Sequence, residues 1–175
     1  MERSVQRLES FDDTDLDDLC NATAAAIIDG GGFGWVRAPA GETLERYWQG
    51  VVLVPERMLF VARLGGTIAG SGQLVRQAKN NEAQAFAAQL THSFVAPWAR
   101  GHGLARMLGK EIESVARSQG FKVLNLDVRA SQTAAIKLYE SLGFTRWGTH
   151  PAYAMVHGEV IAGQYYYKRL DQNTK

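Results

Sequence analysis

Arg100, Gly101, His102 and Gly103 stand between a strand-like stretch ending Val95-Ala96-Pro97 and a helix-like run beginning Leu104-Ala105-Arg106. A helix start offers several N–H groups without acceptors and the positive end of a dipole, and neighbouring glycines let a ligand approach the main chain closely. The chemistry suited to that junction is the binding of phosphate. Three phosphate patterns compete, and spacing separates them. The nucleotide P-loop wants serine or threonine after its lysine, whereas Gly109-Lys110 is followed by Glu111. The dinucleotide fingerprint wants glycine or alanine where Arg106 stands, and that mismatch breaks it. The third pattern, Arg/Gln-x-x-Gly-x-Gly/Ala, is met by Arg100, Gly103 and Ala105.

The elements that must hold this junction can be read around it. From Gly103 to Gln119 the apolar positions Leu104, Met107, Leu108, Ile112, Val115 and Ala116 follow helical spacing, and Gly120 stops the run. A strand near 88–96, reached from a turn at Asn80-Asn81, precedes it, and "FKVLNLDV" at 121–128 follows as a strand, so the pair forms a right-handed parallel crossover. Leu90 and Val95 have opposite strand parity yet both belong inside, which calls for a bulge near Ser93. "SQTAAIKLYESLGF" opens with hydroxyl caps, aligns Ala135, Leu138, Tyr139 and Leu142, and ends at Gly143.

Upstream, "SVQRLE" reads as an opening strand, and Asp12 or Asp13 caps a helix to about Ile28 with Leu16, Leu19, Cys20, Thr23 and Ile27 on one stripe. "DGGGFGWVRAPAG" breaks all periodicity before a second helix from Thr43 to about Val52, which carries Tyr47 and Trp48. Two apolar strands surround Gly65-Gly66 as a hairpin. Two last strands, one from Thr145 and one from Gln164 to about Leu170, flank a loop containing "HPAYAMVHGEV". The outcome is one mixed α/β domain over residues 1–175.

Bulk composition narrows the partners. With 175 residues, 46% apolar and 21% charged, the chain suits one packed core. Nineteen basic against eighteen acidic side chains leave +1, too little field to hold a nucleic-acid backbone or an anionic membrane, so any anion must be met locally. The single cysteine, Cys20, has no internal disulfide partner and fits a buried position in a reducing compartment. The acidic run from Asp12 to Asp18 is unlike a secretory signal, and no apolar window reaches a membrane span, so a cytoplasmic protein is expected. His150 and His157 lack metal-site spacing, and no metal is expected.

With Val95-Ala96-Pro97 ahead of the Arg100 loop, and "QTAAIKLYESLGF" following with Ala135, Leu138, Tyr139, Gly143 and Phe144 in register, the chain resembles the GNAT superfamily of acyl-CoA-dependent N-acetyltransferases. Gln132 stands where that helix motif has asparagine. The late "HPAYAMVHGEVIAGQYYYKRL" and early "GGGFG" segments look similar to the tabtoxin-resistance acetyltransferase branch, whose members acetylate a small amino-acid-like toxin. The resemblance implies a mixed, mostly antiparallel twisted sheet with a splayed parallel pair and flanking helices, and acetyl-CoA as the cofactor. It implies a diphosphate held by the amides of Arg100, Gly101, His102, Gly103, Leu104 and Ala105, with Arg100, Arg106 and Lys137 neutralising phosphates and Gln132 and Ala135 alongside. Phe94 and Val95 would bind the pantetheine arm and thioester oxygen.

Acetyl transfer to an amine also needs a base and an acid. The resemblance makes Tyr139 the general acid, since a phenol near pKa 10 can return a proton to a thiolate near 8.5. The family's early-strand glutamate falls on Gln89 or Thr91 here, which leaves Asp127 and His92 as candidate bases. Phe33, Trp35, Tyr47 and Tyr153, with Trp48, are candidates for the acceptor surface. The expected acceptor is the primary amine of a small amino-acid-like or toxin-like molecule, attacked directly in a ternary complex. A protein N-terminus or lysine, a non-catalytic acyl-CoA-binding module and a homodimer are the alternatives left open.

Overall fold

In the computed structural model, which describes residues 1–172, seven strands form one sheet with four helices packed on it. The strands are β1 (Arg3–Leu8), β2 (Arg57–Leu64), β3 (Thr67–Arg76), β4 (Ala87–Val95), β5 (Val123–Arg129), β6 (Thr145–Val156) and β7 (Glu159–Arg169). The helices are α1 (Asp13–Ile28), α2 (Gly41–Leu53), α3 (Leu104–Ser118) and α4 (Thr133–Ser141). The order across the sheet is β1-β2-β3-β4-β5-β7-β6, and only β4 and β5 are parallel, joined through α3. This is the mostly antiparallel α/β architecture with one parallel pair that the sequence implied.

Strand β2 shows how the two faces are filled. Met58, Phe60, Ala62 and Leu64 join the core beneath α3 and α4, while Leu59 and Val61 join the core beneath α1 and α2. Burial on both faces is why β2 reads as an unbroken apolar run rather than an alternation. On the second face, Trp48 is fully buried and donates its indole N–H to Thr23 Oγ1 at 3.1 Å, while Thr23 donates to the Leu19 carbonyl at 2.6 Å. The only polar atoms of that contact are therefore satisfied, as burial requires. Asp12 caps α1 by accepting the Asp15 N–H at 2.7 Å, and of the expected stripe Leu19, Cys20, Thr23 and Ile27 are buried and Leu16 partly so.

The bulge lies where parity demanded it. Gln73 pairs with Thr91 and Ser71 with Phe94, so Gly72 alone faces both His92 and Ser93. Leu90 and Val95 consequently pack on the α3 face despite opposite parity, whereas Phe94 turns to the α1 face. His92 takes the left-handed conformation, with φ of 51°, that the extra residue imposes.

The end of the chain differs from expectation. Residues 150–160 are not a loop: β6 and β7 form one long hairpin, turning at His157-Gly158 with φ of 50° and 80°. Both positive angles match the tight turn that suits strand twist. Met155 and Val160 are 65% and 58% exposed on this outermost hairpin, so no buried alternation marks it in the sequence. Smaller shifts occur at β5, which starts at Val123, and at α2, which starts at Gly41.

Close approach at the bulge makes one glycine obligatory. A Cβ on Gly70 would sit 2.4 Å from the Phe94 carbonyl oxygen, a main-chain atom. Gly70→Ala should therefore cost about 1–3 kcal/mol of stability, read as a lowered thermal midpoint, because β4 cannot withdraw without repacking.

Candidate active site

β4 and β5 pair through only Ala87↔Val123, Ala88↔Leu124 and Gln89↔Asn125, after which they part. Beyond Gln89 the facing edges have no ladder partner, and the gap opens into a groove of about 640 Å³. Phe94 and Val95 line one wall, the loop from Arg100 to Arg106 the floor, and Gln132, Ala135 and Tyr139 the other wall. Gly101 and Gly103 hold φ of 81° and 75°, which bends the loop so that its amides lead into α3. Among the described residues, the main-chain N–H groups from Gly101 to Arg106 have no acceptor; the first paired one is Met107, which donates to Gly103. Six orphan donors at the start of a fifteen-residue helix make a fitting cradle for a diphosphate.

The side chains of the loop are less free than the sequence suggested. Arg100 pairs with Asp29 at 2.7 Å, and Arg106 donates to Ser141 Oγ at 2.8 Å, tying α3 to the end of α4. His102 is directed away: its Nδ1 lies 3.1 Å from the carbonyls of both Ala99 and Arg100, which requires the Nδ1–H tautomer, and its own carbonyl accepts from Arg3 at 2.8 Å. Lys137 is exposed on α4 and lies outside the groove lining.

On the far side of Tyr139 is a second cavity, of about 400 Å³. Tyr139, Ser93, Gly32, Gln132 and Ala135 line both spaces, so they form the wall between groove and cavity. Tyr139 is 7% exposed; burial raises its phenol above the ordinary tyrosine range, with the Ser93 hydroxyl working against it. It therefore remains protonated throughout the neutral range.

Asp127 and His92, on the two diverging strands, both line the second cavity. Asp127 accepts from Gln89 Nε2 at 3.0 Å and from the Tyr153 hydroxyl. That tyrosine is delivered by a bulge in β6: between His150↔Gly163 and Ala154↔Ile161, three residues of β6 face one of β7. Its ring lies flat over Gly163, where a Cβ would be 2.1 Å from the ring. Burial first, then Asp127, push the Tyr153 phenol far above its ordinary value, so it stays a donor. His92 rests among aromatic rings, 5.5 Å from Phe33 and 6.2 Å from Tyr47 between centroids, with Nδ1 3.1 Å from Thr91 Oγ1. Burial and then the Arg57 guanidinium lower its pKa below 6.5, against a weaker pull from Asp127.

The expected acceptor residues divide into two groups. Phe33 and Tyr153 line the cavity; Trp35 and Tyr47 stand behind Phe33, at 5.9 and 6.2 Å, and Tyr47 accepts from Gln73. Sequence reasoning missed Ser93 and Arg129. Arg129 shares a strand face with Asp127, a period-two relation that could have disclosed it. It also missed the purpose of the early glycines. A Cβ on Gly32 would lie 2.9 Å from Phe94 Cβ, and the Gly30 carbonyl accepts from Gln132 at 2.7 Å, so the loop crosses the mouth of the splayed strands.

Comparison with known proteins agrees with this geometry. Residues 22–144 match the model of the acetyltransferase (GNAT) family. Over 129 residues, 74% of this chain and 77% of the relative, the chain is 62% identical to an uncharacterized N-acetyltransferase in the hisH-hisA intergenic region of Azospirillum brasilense. The fold is similar to that of an N-acetyltransferase from Staphylococcus aureus Mu50, with TM-score 0.83, 19% identity and coverage of 98% of this chain and 100% of the other. It is also similar to yncA of Salmonella typhimurium, solved with its cofactor acetyl-CoA, with TM-score 0.80, 18% identity and coverage of 100% and 98%. Strands that part after three pairs, a cradle of unpaired amides and a family match over most of its length place this chain in the GNAT family of acetyltransferases.

Proposed function

We propose that the protein is an acetyl-CoA-dependent N-acetyltransferase in which the primary amine of a small molecule attacks directly within a ternary complex. The observation that carries the reading is the position of Tyr139, a buried, protonated phenol in the wall shared by a cofactor-sized groove and an acceptor-sized cavity. Bound acetyl-CoA would supply a thioester carbonyl and a thiolate leaving group. The amides from Gly101 to Arg106 hold the diphosphate, and the unpaired edges of β4 and β5 hold the peptide-like arm as an added strand would. A main-chain amide at Phe94 or Val95 steadies the carbonyl oxygen, a kind of contact worth about 3 kcal/mol where it strengthens in the transition state.

On the acceptor side, Asp127 attracts the ammonium and His92 removes its proton. Burial lowers the His92 pKa and favours its neutral form, and in the tautomer that donates Nδ1–H to Thr91 Oγ1 the lone pair of Nε2 is left for the amine. Tyr139 donates to the departing sulfur, a transfer that runs downhill toward a thiolate of lower basicity than phenolate only once that thiolate has been desolvated in the groove.

Three measurements test these roles. Tyr139→Phe should lower kcat about 100-fold or more while leaving the acetyl-CoA dissociation constant unchanged, since only the transferable proton is lost. Unchanged turnover would remove Tyr139 from the acid role. At saturating amine, the logarithm of kcat should rise with pH and level off at a midpoint below 6.5, because His92 must be neutral to act and its pKa is lowered; His92→Gln should abolish that limb. Arg100 shields Asp29, a carboxylate that itself lines the groove. Asp29→Asn should therefore tighten coenzyme A binding in titration calorimetry and Arg100→Ala weaken it several-fold, because an exposed pair of this kind contributes only about 0–1 kcal/mol and yields readily to phosphate.

A further inference from the structure

The acceptor cavity is lined by one carboxylate and one guanidinium, Asp127 and Arg129, two residues apart on β5. Alternate residues of a strand share a face, and two rises of about 3.3 Å set their Cα atoms roughly 6.6 Å apart. Neither enters an ion pair among the described residues. Asp127 is held by two neutral donors, the Gln89 amide and the Tyr153 hydroxyl. Arg129 is held by two neutral acceptors, donating Nη2–H to the Phe33 carbonyl at 2.5 Å and Nη1–H to the Gly30 carbonyl at 3.5 Å. Each charge is thus oriented by uncharged groups and left without a counter-charge. A half-enclosed cavity holding two such groups of opposite sign is complementary to a ligand that carries both charges itself.

We infer that the acceptor is a free α-amino acid or a close analogue, with its carboxylate read by Arg129 and its ammonium drawn to Asp127 before His92 deprotonates it. The remaining lining mixes apolar groups, among them Phe33, Leu90, Val128 and Met155, with the neutral polar groups of Thr91, Ser93 and Gln132, and suits an uncharged side chain. A linear diamine would bring a second cation against Arg129, and a peptide N-terminus carries no carboxylate at the required distance. Arg129 makes this choice as a specificity residue; it has no part in moving the proton.

This inference rests on the acetyltransferase reading, and the two can fail separately. Thiol release would be followed with L-leucine, L-phenylalanine and L-glutamine, each beside its α-carboxamide, and with a linear diamine. The wild-type protein should favour each acid over its amide by about 10- to 100-fold in kcat/KM, the range expected for a hydrogen bond to a charged group. That preference runs against intrinsic reactivity, because the amide's amine is the more easily deprotonated. Arg129→Met should bring the ratio toward one, chiefly through the KM of the acid, and improve the diamine; Arg129→Lys should keep part of the preference. Because Arg129 also braces the loop at Phe33, the ratio within one variant, rather than its absolute rate, is the deciding quantity. An acid-to-amide ratio near one in the wild type, or the same ratio in Arg129→Met, overturns the inference while leaving the transferase intact. If no amine releases thiol, the transferase reading falls, and calorimetry of the acid and amide against coenzyme A-loaded protein decides the charge pair alone: equal affinities overturn it.

Discussion

A strand with one residue more than its neighbour must turn part of itself over, and β4 does so where His92 and Ser93 face Gly72. Phe94 is thrown to the α1 face, His92 into the second cavity and Ser93 beside Tyr139. The same mismatch increases local bending, which fits the loss of pairing with β5 after Gln89. The groove, His92 and the surroundings of Tyr139 thus share one irregularity. Its cost includes a non-glycine residue at φ of 51°, and Gly70, lacking a side chain, admits the close approach of the Phe94 carbonyl that goes with the bulge.

Electrostatics at the site are local throughout, as a chain of net charge +1 requires. The groove presents main-chain amides without acceptors among the described residues and one exposed arginine, Arg100, paired with Asp29. The cavity orients its charges with neutral donors and acceptors, which position them without cancelling them. Strong internal pairing is spent elsewhere, as where Asp15 and Arg63 meet at 2.7 Å with little exposure and lock α1 to β2.

The coenzyme side was readable in sequence because its requirements are local. Arg100, Gly103 and Ala105 have fixed spacing, and the helix carrying Tyr139 follows with a periodic apolar face and a terminating glycine. Even the bulge could be deduced, from the conflict between Leu90 and Val95. The acceptor side was harder to read because it is assembled from distant segments. Tyr153 reaches Asp127 only through an irregular hairpin whose outer face is exposed and so leaves no hydrophobic period. Gln132 shows the limit of motif reasoning: it stands at a recognisable position, but its amide is engaged by Gly30, a residue from the other end of the chain. Lys137 is a cation suited to a phosphate, but the turn of the helix carries it outward, clear of the groove lining.

The coenzyme loop is also fastened from far away. Arg3 on β1 grips the carbonyl of His102 and lies where any side chain on Gly103 would be, 3.4 Å off. β1 is the outermost strand of its edge, zipped to β2 on one side only. Outer strands fray first on warming, well before a core melts. Fraying there would release the loop's tether, so the protein would lose its grip on coenzyme at temperatures where its fold, judged by secondary structure, is still whole.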